Sequence, residues 1–322
     1  MDGGAARPRL SLRGWWAKRS GSPGQDHGLK RSHFREVRLP VILLLPQLVI
    51  LLLFFFVPSF RTLFQAFYLT DPFGIDSEFV GFENIMLLLE DPLYWDSIWT
   101  TFVFTLFQNA FTISIALLFA FATDHVIRGR GVYKTMILIP YAIAPAVAGI
   151  IWAFLFNPAV GPIAHLLHSL GISWDPNHYS SDAMILVILA ASWKHICYDY
   201  IFLVAGLLAV PRSIIEAAAV DGAGPVRRFF SVSLPMLTPT LFFLIVINFV
   251  YGLFETFAII DATTVGGPAR ATTILVYKVY LDGFVSLDLG SSSAQSLILM
   301  IFALLLTYFQ FRFIERRVNY AV

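Results

Sequence analysis

Polar and ionisable side chains are scarce in the apolar stretches of this sequence, so the few that occur there mark where chemistry is possible. Between Ala183 and Ala209 stand Lys194, His195, Tyr198 and Asp199. Lys194 and Tyr198 are four apart, as are His195 and Asp199, so on a helix each pair shares a face. Between Met236 and Ile260 stand Asn248, Tyr251, Gly252 and Glu255, with Asn248, Gly252 and Glu255 at helical spacing. An earlier stretch adds Thr105, Gln108, Asn109 and Thr112. Charges in apolar helices are costly and face a cavity or one another. One chemistry open to them is electrostatic recognition, because an anionic group needs a cation or oriented N–H donors on its route. Lys194 is the single Lys or Arg well inside an apolar stretch, and His195 adjoins it. The other is structural: Lys194 pairs with Asp199 or Glu255, and His195 bonds between helices. The residues alone leave both open.

Catalytic constellations are missing. The string closest to a phosphate-binding loop, Gly129–Thr135, lacks the glycine before its lysine, so nucleotide hydrolysis must come from another chain. Neither HExxH nor GxSxG occurs. One cysteine, Cys197, makes no internal disulfide and no cysteine-rich metal site. His165 and His168 are close together but lack an evident third ligand. No catalytic residue, cofactor-binding residue or metal ligand is assigned.

These polar groups must be positioned by membrane-spanning helices. Hydrophobic residues make up 57% of the 322 and charged ones 13%, about half the charge content of a water-soluble domain. Six stretches are long enough to cross the hydrocarbon: about 39–60, 98–122, 132–156, 183–209, 236–260 and 293–313. The fold class is therefore an all-α membrane protein of six transmembrane helices. Trp95 and Trp99 suit an interface where a helix enters the bilayer. Residues 1–38 carry nine Lys or Arg and form a basic tail expected to be disordered; residues 39–320 form the membrane domain. No cleavable signal peptide is evident. Eighteen basic residues fall in the tail, the second and fourth connections and the C-terminus; the other side has three, Arg61, Arg270 and Lys278. The basic side is cytoplasmic by the positive-inside rule, which places both termini there.

Among the connections, 211–235 looks built to fold. Ser213 and Glu216 have capping-box spacing, Ala217–Ala219 favour a helix, and Gly222, Gly224 and Pro225 end it. A short cytoplasmic helix with Arg212, Arg227 and Arg228 on its flanks suits docking to a partner protein.

The string Glu216-Ala217-Ala218, three residues, Gly222, nine residues, then Val232-x-Leu234-Pro235 resembles the EAA loop of permease subunits from bacterial ABC importers. Val232 stands where that family usually has isoleucine. The likeness runs over about 39–320 and lies with the sugar-type permeases; a closer likeness within them is carried by DPFGIDSEFVGFENI, LIPYAIAPAVAGIIWAFLFNP, PRSIIEAAAVDGAGPVRRFF and IDATTVGGPARATTILVYK. The resemblance implies a type I importer fold in the bacterial inner membrane, a second non-identical permease, an ABC ATPase homodimer and an extracytoplasmic binding protein. ATP and Mg2+ would reside on the ATPase, and this chain would bind no cofactor. It implies that Glu216, Ala217, Ala218, Asp221, Gly222, Leu234 and Pro235 couple to the ATPase. It implies also that the loop around Gly266, Gly267 and Pro268 meets the binding protein, a simple turn being the equal alternative. Within the sugar-type permeases the likeness points to importers of sn-glycerol 3-phosphate and glycerophosphodiesters. A neutral oligosaccharide, or an ion-coupled carrier using Asp199 or Glu255, stands as the alternative. Lys194, His195, Tyr198, Asp199, Asn248, Tyr251 and Glu255 are the candidate pathway residues.

Overall fold

A computed structural model describes residues 38–71, 76–125 and 130–314. The expected basic tail, Arg128, Arg316 and Arg317 lie outside the described residues. The chain divides into two compact units, 1–57 and 58–322. In the first, side chains from Val41 to Phe56 are exposed and almost wholly apolar. Such a surface is stable against lipid, where a helix satisfies its own backbone groups.

Among the described residues four helices are long and apolar enough to cross a membrane: α1 (Pro40–Gln65), α3 (Pro92–His125), α7 (Ser180–Ala209) and α13 (Leu289–Phe309). Two further crossings are broken. α4 (Arg130–Leu138) leads through a tight turn, Ile139–Ala142, into α5 (Pro145–Leu155) with a 103° bend. Pro140 lies in that turn and Pro145 opens the next helix, and proline withholds an N–H and pushes the preceding residue out of the helical region. Ile143 and Ala144 are accordingly extended. α9 (Pro225–Met236) meets α10 (Thr238–Phe254) at a 69° bend, next to Pro235 and Pro239. The spans expected over 132–156 and 236–260 are thus each a bent helix pair. The second stops at Phe254, and a separate α11 (Phe257–Thr263) follows.

The connections carry a two-stranded antiparallel hairpin, β1 (Tyr68–Thr70) against β2 (Ser77–Phe79), registered Leu69 to Glu78. Short helices α2 (Glu83–Glu90), α6 (Pro162–Ser169), α8 (Arg212–Val220) and α12 (Leu275–Tyr280) complete the set. His165 and His168 serve the α6 segment: their rings hydrogen-bond the carbonyls of Gly161 and Trp174 at 2.8 and 3.0 Å.

In the second unit α3 packs along α7 and α10, and α5 along α11. Small residues allow close approach in a membrane core. Ala116, Ala120, Ala190 and Ala191 are fully or almost fully buried. At Gly252 an added Cβ would lie 2.9 Å from the Thr105 methyl carbon, so no larger residue fits that crossing unchanged. The Thr105, Gln108, Asn109 and Thr112 stripe is buried in this core, where Asn109 donates to the Ile245 carbonyl at 3.2 Å.

Candidate functional site

The bend between α4 and α5 borders a cavity of ≈ 680 Å3. Its wall is Tyr141–Pro145 from the bend, Lys194, His195 and Tyr198 from α7, and Ile247, Val250, Tyr251 and Glu255 from α10. Irregular backbone at membrane depth is tolerated where it lines a cavity, and the broken helix meets that condition.

Of the seven candidate pathway residues, five line this cavity: Lys194, His195, Tyr198, Tyr251 and Glu255. Lys194 forms no ion pair with Asp199 or Glu255; its Nζ sits 5.6 Å from the Tyr141 ring centre. Tyr141 was not singled out by sequence, and its flanking prolines are the signal that marks it. The His195 ring stacks 3.9 Å from Tyr251 and 5.2 Å from Tyr198, centre to centre. Its Nε2 is buried without a hydrogen-bond partner, so the interhelical bond expected of it does not form.

Asp199 and Asn248 lie behind the wall, both fully buried. Asn248 Nδ2 donates to the Asp199 carboxylate at 2.8 and 3.0 Å and to the Leu244 carbonyl at 2.9 Å. Gln108 Nε2 reaches Thr112 Oγ1 at 3.0 Å and Asn248 Oδ1 at 3.4 Å. The second-span stripe therefore backs the site through Asn248 and does not line the cavity.

A second ionisable cluster lies apart, and its partners were not foreseen from spacing. Lys278 of α12 is 4% exposed, and its Nζ meets Asp282 at 2.8 Å and Asp91 at 3.2 Å. Gln295 of α13 also donates to Asp282.

The polar segment after α7 folds as α8, but without the capping box. Pro211 is the N-cap and Arg212 the first helical residue, so Ser213 is already inside the helix and makes no cap bond. At the other end Ala223 N donates to Ala218 O and Gly222 N to Ala219 O, both at 3.0 Å. This double closure needs a left-handed residue, and Gly222 supplies it at φ +82°. Glu216, Ala217, Asp221 and Gly222 are exposed, Ala218 and Leu234 half-buried, and Pro235 exposed. α8 shares a recess of ≈ 80 Å3 with Phe121 and Leu207, at the C-terminal ends of α3 and α7.

The loop after α11 lies at the opposite ends of the same helices, where Ala269, Arg270 and Ala271 line a recess with Asp96, Trp99, Thr100 and Ser180. Gly266 is buried there, with Tyr277 and Thr273 where a Cβ would go. Gly267 and Pro268 are half-buried, so the loop's exposed side chains are Val265, Ala269 and Arg270.

A helical, membrane-crossing chain with a polar-walled cavity between bent helices and an exposed folded turn at one end has the architecture of a membrane permease. Residues 112–320 match the family described as binding-protein-dependent transport system inner membrane component. The chain belongs to that family, as a multi-pass permease subunit of ABC importers and not an enzyme. Similar curated proteins are the "sn-glycerol-3-phosphate transport system permease protein UgpA" of Brucella abortus and of Pectobacterium atrosepticum. The first is 53% identical over 91% of this chain and 100% of that protein. The second is 51% identical over 90% and 98%. Among solved structures, a bacterial ABC transporter importing the acidic polysaccharide alginate aligns over 88% of this chain and 96% of its own. Its TM-score is 0.76 at 20% identity, which establishes the fold. The ion-coupled alternative falls with this membership.

Proposed function

We propose that this chain forms half of a translocation pathway for sn-glycerol 3-phosphate and related glycerophosphodiesters. Relatives carrying that name at 51–53% identity support the substrate class. The observation that carries the site is Lys194: a cation on the cavity wall with no carboxylate partner among the described residues. An unpaired cation in a membrane cavity is costly to keep, and an anionic cargo is the partner that would repay it. Lys194 is the point contact for phosphate in this reading, with His195 beside it.

The remaining half of the pathway comes from a second, non-identical permease, and an extracytoplasmic binding protein delivers substrate. An ABC ATPase homodimer carries ATP and Mg2+. α8 is the coupling helix: Glu216 and Asp221 offer ionic partners, and Ala217 and Ala218 permit close approach. Both termini and α8 are cytoplasmic, by the basic-residue count. The loop 264–271, at the other end of α3, faces the binding protein through Val265 and Arg270 more than through Gly266.

The test is uptake by the reconstituted importer, with its binding protein, supplied with glycerol 3-phosphate or a neutral oligosaccharide. The reading expects transport of the phosphate ester alone and its loss in Lys194→Ala. Normal transport by that variant would remove Lys194 from the pathway. The tyrosine-rich wall (Tyr141, Tyr198 and Tyr251) would also suit stacking on sugar rings, and uptake of the oligosaccharide alone would favour that alternative.

A further inference from the structure

The Asp199 carboxylate is short of hydrogen-bond donors. It is fully buried in α7 and has no Lys or Arg within ion-pair reach among the described residues. Its donor is one neutral NH2 group, that of Asn248, which also serves the Leu244 carbonyl. Two N–H bonds are thus shared among three acceptors, while an ionised carboxylate offers about four acceptor sites. His195 Nε2 lies 3.9 Å from it and is itself buried and without a hydrogen-bond partner among the described residues. An under-supplied carboxyl group and an unpartnered imidazole nitrogen thus face each other, one able to give a proton and the other to take it.

The rest of the wall around His195 carries one further acid, Glu255. Lys194 and Tyr198 flank it on its own helix, Tyr141 faces the cavity from the bend, and Tyr251 and Glu255 come from α10. Tyr198 and Tyr251 hold the ring by stacking. Glu255 is exposed at the end of α10.

We propose that Asp199 and His195 hold one proton between them, which passes to the imidazole when a phosphate anion enters the cavity, making His195 a second cation beside Lys194. The inference rests on the reading of this cavity as an anion pathway. In the step, the Asp199 O–H bond breaks and an Nε2–H bond forms, with no proton drawn from water. The gap exceeds a hydrogen bond, and about 1 Å of ring movement closes it. With the cavity empty, the pair is neutral, the cheaper state in an apolar core. With phosphate present, the anion favours the charged imidazole, and the residual carboxylate faces Asn248 and the imidazolium. The positive end of the pair thus faces the cavity only while cargo is in it, with the net charge unchanged, so binding does not become a trap. Asp199 is a positioning residue here, because it acts on cargo through His195.

The experiment uses the complete reconstituted importer, its binding protein included, and glycerol 3-phosphate uptake between pH 6 and pH 8. Asp199→Asn keeps the side-chain shape but removes the internal donor, so His195 must be charged from water. Its rate relative to wild type should fall by at least about tenfold across that range, because a buried imidazole beside Lys194 takes a proton from water less readily as the pH rises. His195→Gln should be slow at every pH. A flat Asp199→Asn ratio would overturn the proton sharing. An infrared difference spectrum of the wild-type complex gives a reading independent of variant folding. Glycerol 3-phosphate should remove a protonated-carboxyl band, and retention of that band would also overturn it. Lys194→Met separates the two readings: if its uptake is normal, the anion pathway itself fails. If it is impaired while the Asp199→Asn ratio is flat, only the proton sharing fails.

Discussion

Two buried ionisable clusters in this chain are built on opposite plans. Around Lys278 every charge has a partner: Asp282 at 2.8 Å, Asp91 at 3.2 Å, and Gln295 on Asp282. Those groups come from the loop before α3, from α12 and the segment after it, and from α13, so the cluster fastens separate elements together. Around Lys194 nothing closes. Its Nζ faces an aromatic ring, His195 Nε2 is orphaned, and Asp199 has one amide for company. A fully paired cluster holds structure, because taking one member away strands the others. An unpaired one on a cavity wall costs stability and is explained by something that arrives from outside.

The contrast is broken most severely by removing Lys278. Lys278→Ala leaves two carboxylates facing each other and should cost about 3–5 kcal/mol, the usual loss when a buried pair is halved. Thermal unfolding of the detergent-solubilised protein measures it. Replacing the cluster together, with Lys278→Met, Asp282→Leu and Asp91→Asn, should recover most of that loss, since apolar packing often matches a buried pair. Lys194→Met should behave in the opposite way, with stability within about 1 kcal/mol of wild type, as for other changes that strand no buried group. Its uptake should nonetheless fall. If Lys194→Met unfolds the protein as Lys278→Ala does, the distinction between the clusters is lost.

A smaller effect is expected at Gly252, where the two α-helical backbones meet behind the open cluster. Gly252→Ala forces Thr105 to move and should cost about 1–3 kcal/mol by overpacking. Gly222→Ala should cost least, roughly 1 kcal/mol for a side chain in the left-handed region. Nothing lies within 4 Å of its Cβ position. Its main readout is functional: substrate-stimulated ATP hydrolysis should be uncoupled from uptake, while substrate capture by the binding protein is unchanged.

Much of this was legible before any coordinates. The apolar stretches located the crossings, because the hydrocarbon thickness sets a minimum length that few other structures satisfy. The α8 segment was found by residue type, with alanines to continue the helix and a glycine to end it. Its start was misjudged, since Ser213 has capping spacing but Pro211 takes the cap position. The bends at Tyr141–Pro145 and Leu237 were also missed. Their prolines were visible, but membrane helices tolerate prolines, so whether one kinks or breaks a helix depends on what packs against it.

Residue types and their spacing alone determined that this chain crosses a membrane, that Lys194, His195 and Asp199 share one helix, and that α8 ends in a glycine turn. Each follows from local physics: helix periodicity, hydrophobic length and backbone conformational freedom. Tertiary structure decided which of those polar groups reach the cavity and which sit behind it. It showed that, among the described residues, Lys194 has no acid partner and Lys278 has two. The reason is that partnership between charges depends on how distant segments cross, and the crossing is set by small residues and broken helices that no single stretch encodes.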